Sequence, residues 1–218
     1  MSSLLSLRSL QIVVVLLLAT LSSVSRGAYP VPPLTAERIP GLAFGTGFAV
    51  NENFFIYGGQ DRTGKAVNDF TKIHFDRYGM IHSEVVNSNG PSIVYPQSVV
   101  FSNNDSVAII GGMYEGYNPN ITDPIRAHVY SFSQNTWTAL PGLEGAGPVP
   151  GHRQEHTVIK AANGLIYIHG GMLNKSNHTI IRDNWSYDPT AGIFTNLATP
   201  PLALFGSTAT ALPYVDSQ

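Results

Sequence analysis

The chain has 218 residues, which is enough for one large domain or two small ones. Its formal net charge is only −2, so it lacks the basic excess with which nucleic-acid binders neutralise phosphates, and nucleic-acid binding is not expected. The absence of cysteine excludes disulfides, thiolate metal sites and cysteine nucleophiles. With 21 glycines, 15 prolines and 12% charged residues, the composition favours short strands joined by tight turns.

Residues 1–27 have the pattern of a secretory signal peptide. Arg8 precedes the ten-residue apolar run Ile12–Leu21, and small residues follow it. A bilayer span needs about 20 apolar residues, so the run is too short to cross comfortably. We predict cleavage after Gly27, with cleavage after Ser25 as the second choice. An uncleaved signal anchor is the alternative, and any other membrane attachment would require an anchor beyond Gln218.

Five Asn-x-Ser/Thr sequons are a second sign of export, and none of them has proline in the middle position. They begin at Asn104, Asn120, Asn174, Asn177 and Asn184. Together with the signal peptide they predict a glycoprotein that is secreted or held at the extracellular face of the plasma membrane. Asn184 begins a predicted strand, and we expect that order to hinder its modification.

A diglycine that follows a short apolar run occurs three times in the chain. The pairs are Gly58-Gly59, Gly111-Gly112 and Gly170-Gly171, and they recur after 53 and 59 residues. Three copies at a nearly constant period indicate a repeat architecture.

Each diglycine has a second short strand upstream. These strands are predicted over Gly47–Val50, Ser98–Phe101 and Thr157–Lys160. Gln97 and His156 both stand fourteen residues before their diglycines, so we expect them to be equivalent, as we do Asn104 and Asn163. Asn163-Gly164 predicts a type I′ hairpin, because both residues tolerate a positive φ.

An alternating aromatic strand follows each diglycine, and a fourth strand follows that one. The apolar members of the third strands are Ile73 and Phe75, Tyr130 and Phe132, and Trp185 and Tyr187. The fourth strands start near Ile81, Trp137 and Phe194. Alternation with a period of two predicts that one face of each strand packs against a neighbour. Every repeat is therefore predicted to be a four-stranded antiparallel meander.

Such a meander, repeated about every 50 residues with a diglycine after its second strand, resembles the kelch repeat of β-propellers. The resemblance covers residues 41–218 and includes the diglycines, Trp137 and the segment Arg153–Thr157, which is similar to the family's first-strand pattern. It implies an all-β, kelch-type β-propeller with four-stranded antiparallel blades. We predict blades over residues 41–92, 93–150 and 151–203 and the start of a fourth over 204–218. The signal peptide (1–27) and an extended proline-rich leader (28–40) precede them.

Propellers usually close with about four to eight blades, so three blades and a start make an incomplete ring. We expect the sequence to be the N-terminal part of a longer secreted or cell-surface protein. Closure by pairing with a second copy is the alternative.

The histidines do not form an evident metal or acid–base site. His152 and His156 share a segment with Arg153 and Glu155. In a strand, residues four apart are separated by about 13 Å, too far to chelate one ion. We expect the two histidines to begin a blade and line its inner end, and we predict no metal and no cofactor.

An enzymatic function is the less favoured interpretation. Kelch propellers are similar to the copper radical oxidases related to galactose oxidase, whose cofactor requires a tyrosine cross-linked to a cysteine. This chain has no cysteine, so that resemblance implies fold only. We predict no catalytic residues; the alternative is a fragment of a secreted copper radical oxidase whose active centre lies outside this chain.

Binding is the favoured function. The resemblance implies that the loops joining second and third strands, and those joining successive blades, share one face and carry most recognition. The loops between second and third strands are Gln60–Val67, Met113–Ile125 and Met172–Ile180. We predict that binding residues for an unknown protein or glycan partner are Tyr114, Glu115, Tyr117, Arg126, Arg153 and His156. Exposed tyrosines beside an arginine are typical of interaction hot spots. The alternative is that the tyrosines only cover the blade edge. Glycans at Asn120, Asn174 and Asn177 would shield part of these loops.

Overall fold

The computed structural model describes residues 42–77, 79–116, 118–119, 122–145, 147–173 and 179–210. The predicted signal peptide and leader lie outside the described residues, as do Tyr117 and the sequon positions Asn120, Asn174 and Asn177. The described residues form fourteen strands and no helix, which confirms the all-β class. In this part of the chain no helix is therefore available to cross a membrane.

Twelve of the strands form three four-stranded antiparallel sheets, in which hydrogen-bonded neighbours follow the chain order. Blade 1 consists of β1 (Thr46–Val50), β2 (Asn53–Tyr57), β3 (Phe70–Phe75) and β4 (Ile81–Asn87). Blade 2 consists of β6 (Gln97–Val100), β7 (Ser106–Ile110), β9 (Ala127–Ser131) and β10 (Thr136–Ala139). Blade 3 consists of β11 (Thr157–Lys160), β12 (Ile166–His169), β13 (Asn184–Asp188) and β14 (Ile193–Asn196). A short pair, β5 (Ile93–Val94) and β8 (Met113–Tyr114), flanks blade 2.

The first strands of the blades lie side by side, because β6 contacts both β1 and β11. Thr46 of β1 and Ser98 of β6 share a hydrogen bond of 2.7 Å between their hydroxyl oxygens. The sheets therefore meet along their first strands and stack face to face, as the blades of a propeller do.

Strand β7 shows how stacking buries both faces of blade 2. Val107 and Ile109 pack into the apolar cluster shared with blade 1, whereas Ala108 and Ile110 pack into the cluster shared with blade 3. All four side chains are fully buried. Successive strand residues point to opposite faces, so an uninterrupted apolar strand is what a central blade requires.

The register shows which positions of the third strands correspond to one another. Ile73, Tyr130 and Tyr187 lie opposite Phe54, Val107 and Ile166, which stand at the same distance from their diglycines. Trp185 therefore stands two residues before the position in blade 3 that corresponds to Tyr130. Packing of Phe75 was wrongly expected, since the side chain is 62% exposed at the end of β3.

A one-residue difference in turn length corrects the first strands. The Phe101 N–H donates to Ser106 O, whereas the Ala161 N–H donates to Leu165 O, so the β6–β7 turn is one residue longer than the β11–β12 turn. Gln97 is consequently equivalent to Thr157, not to His156, because each pairs with the residue before a diglycine.

The Asn163-Gly164 turn is not type I′. Of these two residues only Gly164 has a positive φ (84°). Asn163 instead accepts the Leu165 N–H with its side-chain oxygen, and the Gly164 N–H donates to Ala161 O. The asparagine side chain thus adds a hydrogen bond to the backbone two residues further on, in the manner of an Asx turn.

Each diglycine joins its blade to the entry of the next one. The N–H groups of Gly59, Gly112 and Gly171 donate to the carbonyls of Ile93, Arg153 and Leu204, at 2.7, 2.8 and 2.8 Å. Both glycines of each pair have positive φ values, between 60° and 101°, a region that side chains disfavour. Because Leu204 takes the position of Ile93 and Arg153, the start of a fourth repeat is confirmed.

Candidate binding face

One end of the blades, which we call the loop face, is where the second strands end and the third strands begin. In an antiparallel meander the first strand starts at the end where the second strand stops. The entries to the blades therefore lie at the loop face together with the described residues of the connections between second and third strands, which are 58–69, 111–116, 118–119, 122–126, 170–173 and 179–183. The sequence predicted this convergence through its resemblance to kelch repeats.

A repeated turn precedes every first strand. Phe44, Tyr95 and Glu155 stand two residues before β1, β6 and β11, with φ values of 63°, 57° and 52°. Gly206, with φ 58°, continues the series in the fourth repeat. The Tyr95 N–H donates to Phe44 O, and the Gly206 N–H donates to Glu155 O, both at 2.8 Å. We call these four residues the entry row.

Tyr114 lies beneath Arg126 at the loop face. The Arg126 Cζ atom stands 5.2 Å from the centre of the Tyr114 ring, and Glu115 is exposed beside them. Tyr114 itself is only 8% exposed, so the expectation of an exposed aromatic is wrong for this residue. Pairing of β8 with β5 buries it, and its ring comes within 5.9 Å of the His128 ring.

Burial also governs the titration of this group. It raises the pKa of the Tyr114 hydroxyl far above its usual range, although the nearby Arg126 cation opposes the change. The pKa of His128 is lowered, first by burial and then by the Arg126 cation. Both groups are therefore neutral near pH 7, and Arg126, which is exposed, supplies the positive charge of this part of the loop face.

Arg153 lies inside blade 3 and makes charged hydrogen bonds there. Its guanidinium donates to both carboxylate oxygens of Asp183, at 2.5 and 2.9 Å, and to Gly170 O at 3.1 Å. The Trp185 ring N–H donates to the same carboxylate at 2.8 Å. Burial opposes ionisation of Asp183, but these bonds hold its pKa below the usual value. The arrangement is bidentate, which fixes geometry as well as charge.

His152, Gln154 and His156 are buried next to Arg153. Burial lowers the pKa of His152 to about 4, with the Arg126 cation as the second cause. Burial lowers the pKa of His156 to about 3, with the Arg153 cation as the second cause and the Ile110 backbone opposing. Neither ring nitrogen of His156 meets a hydrogen-bond partner at good geometry among the described residues.

Across the described ranges, no group of three or more histidine, aspartate or glutamate side chains is placed to hold a metal ion. His74 and His82 stack across β3 and β4 with ring centres 5.4 Å apart, and His82 Nε2 lies 3.2 Å from Asp76 Oδ2. This small cluster sits on the flank of blade 1, away from the loop face.

A family model described as the KLHDC2/KLHL20/DRC7 Kelch-repeats domain matches residues 21–215. The chain belongs to the kelch-repeat family. No curated protein matches it. Kelch-repeat domains are typically non-catalytic and mediate protein–protein binding, which makes the loop face of this kelch chain the natural candidate for a binding surface.

The predicted binding residues of the kelch chain separate into two groups. Glu115 and Arg126 are exposed at the loop face, and Tyr114 supports Arg126 from below. Arg153 and His156 are fully enclosed, so we assign them a structural part, and their contact with a partner stays a prediction.

Sequence reasoning missed the entry row and Asp183. The positive φ values at Phe44 and Tyr95 could not be predicted from residue type, because this conformation is normally adopted by glycine and asparagine. The ion pair of Asp183 could not be predicted because its partner Arg153 lies 30 residues away in the sequence.

Proposed function

We propose that this kelch chain is a non-catalytic recognition module that binds a protein partner outside the cell through its loop face. The observation that carries the proposal is the placement of an exposed arginine, Arg126, over the buried ring of Tyr114. Arginine and tyrosine dominate protein–protein hot spots, and a side chain held in place before binding loses less conformational entropy on association. Glu115 adds an exposed carboxylate nearby, so the surface offers both signs of charge.

Site-specific cross-linking tests the binding surface. A photoreactive phenylalanine analogue is introduced at Glu115 in the loop face or at Glu52, an exposed residue of the β1–β2 turn at the opposite end. We expect a protein partner to be cross-linked from position 115 and not from position 52, and Arg126→Ala to reduce the yield at least about tenfold, as loss of a hot spot does. Equal yields from the two positions, or no effect of Arg126→Ala, would refute the loop-face assignment.

The extracellular location is supported by residues 1–27 and by the sequons. Expression in a eukaryotic cell line tests it directly. We expect the protein in the medium, with a new N-terminus after Gly27 or Ser25, and a mobility shift after removal of N-linked glycans. Asn104 is exposed in the β6–β7 turn, whereas the Asn184 side chain is half-buried and bonds to His169, so we expect glycan at Asn104 and none at Asn184. Retention of an unprocessed, unglycosylated chain in the cytosol would refute export.

A further inference from the structure

The entry row places unusual side chains at the start of the first strands. Phe44 and Tyr95 hold a left-handed conformation that bulky residues disfavour, while Gly206 occupies the same position in the fourth repeat at no such cost. Strained residues of this kind are concentrated at functional sites. The strain therefore makes the side chains of the entry row candidates for a binding function.

Aromatic faces stand at one end of the row. The rings of Phe44 and Tyr95 lie 4.6 Å apart between centres, at an angle of 33°, and Phe44 is 51% exposed. An aromatic face carries negative charge density and attracts cations, most strongly those that are planar and weakly hydrated.

The next member of the row contributes a carboxylate. Glu155 is half-exposed, and its Oε2 atom lies 3.8 Å from where a Cβ atom on Gly206 would stand. Within the described ranges, no lysine or arginine approaches Glu155 to ion-pairing distance. The adjacent Arg153 cannot serve, because its guanidinium is bound to Asp183.

We propose that the entry row receives an arginine side chain of a protein partner. The guanidinium packs on the Phe44 and Tyr95 rings and pairs with the Glu155 carboxylate, which complements its charge. This inference rests on the proposed function, since it names the chemistry that the loop face recognises. It is distinct from the Arg126 surface, whose charge is opposite.

A peptide pair with matched size tests the proposal. The probes are fluorescently labelled Gly-Gly-Arg-Gly-Gly and the same peptide with citrulline, which keeps the planar group and loses the charge. We expect the arginine peptide to bind in fluorescence polarisation and the citrulline peptide to bind at least tenfold more weakly. Equal affinities, or no binding of the arginine peptide at millimolar concentration, would overturn the proposal.

Variants locate the binding to the row. Glu155→Gln keeps the shape of the side chain, and we expect it to weaken the arginine peptide at least tenfold. Glu52→Gln removes the same charge at the opposite end and should leave affinity unchanged. If Glu155→Gln unfolds the protein, as thermal melting would reveal, Phe44→Leu serves instead and should weaken binding severalfold. Unchanged affinity in the folded variant overturns the proposal.

The two proposals fail in different ways. If cross-linking from position 115 persists and Glu155→Gln changes neither cross-linking nor peptide binding, the loop face binds its partner without the entry row. If the arginine peptide binds through Glu155 but nothing is cross-linked from position 115, the entry row stands and the Arg126 surface is wrong.

Discussion

Arg153 and Asp183 form a bidentate ion pair inside blade 3. The arginine side chain is fully buried, and the aspartate side chain is about one quarter exposed. The arginine enters the blade just before its first strand, and the aspartate stands just before its third. The pair therefore ties two corners of one sheet together at the loop face. A buried charge of this kind is tolerated only while its partner is present.

Removal of the aspartate charge is expected to be costly. Asp183→Asn leaves the Arg153 guanidinium buried without a counter-ion, and we expect a loss of about 3–5 kcal/mol in the free energy of unfolding. Glu84→Gln is the matched control, because it breaks the exposed pair with Lys72 (3.0 Å) and should cost at most about 1 kcal/mol. Urea denaturation monitored by tryptophan fluorescence measures both. Similar losses in the two variants would show that the buried pair stabilises the fold no more than an exposed pair does.

Acid should destabilise the fold through His156. Its pKa is about 3 in the folded protein against 6.5 without burial, so as the pH falls the unfolded chain takes up this proton first. The contribution of the neutral ring to stability is complete above pH 6.5 and is lost progressively as the pH falls toward 3. We expect the urea midpoint to fall between pH 6.5 and pH 4. His156→Gln, which cannot titrate, should reduce that dependence, leaving the smaller share that comes from His152.

The comparison of the parent protein with His156→Gln decides this assignment. An identical pH dependence in the parent protein and in His156→Gln would contradict the assignment to the buried ring.

Substitution of alanine for a glycine of the diglycine corner is expected to destabilise the fold. A Cβ atom on Gly111 would lie 2.4 Å from His156 Cε1 and 2.8 Å from Arg153 O, and the residue has a φ of +64°. Gly64 also has a positive φ (+83°), but a Cβ there meets nothing within 4 Å. Gly64→Ala should thus cost only about 1–2 kcal/mol of backbone strain, and Gly111→Ala about 1–3 kcal/mol more for overpacking. Equal melting temperatures for the two variants would show that the corner adapts.

The repeat architecture could be predicted because its signals are local. Each diglycine marks a corner where the backbone needs a positive φ and where the next blade approaches closely, so residue type reports directly on geometry. Alternating apolar residues then locate the strands on either side. Local signals fixed the existence of the strands better than their register: a single extra residue between Phe101 and Ser106 shifted the expected match of Gln97 by one position.

The candidate site depends on pairings that the sequence pattern does not reveal. Tyr114 is buried because β8 pairs with β5, about 20 residues earlier in the chain, and nothing in its neighbours distinguishes it from an exposed loop tyrosine. The entry row brings Phe44 beside Tyr95 across a blade boundary. Contacts of this kind follow from stacking of the blades, so they emerge only in the folded molecule.

Stacking of blade 2 against blade 1 provides the last prediction. Ile109 is fully buried in the cluster between the two sheets, where Ile109→Ala removes apolar contacts and leaves a cavity, and we expect a loss of about 2–5 kcal/mol. Ile193 is 58% exposed at the start of β14, so Ile193→Ala should cost less than about 1 kcal/mol, the range of strand propensity alone. Urea titrations of both variants separate the two effects. A loss at position 109 no larger than that at position 193 would mean that the blades are held together by their hydrogen-bonded corners and not by the apolar faces between them.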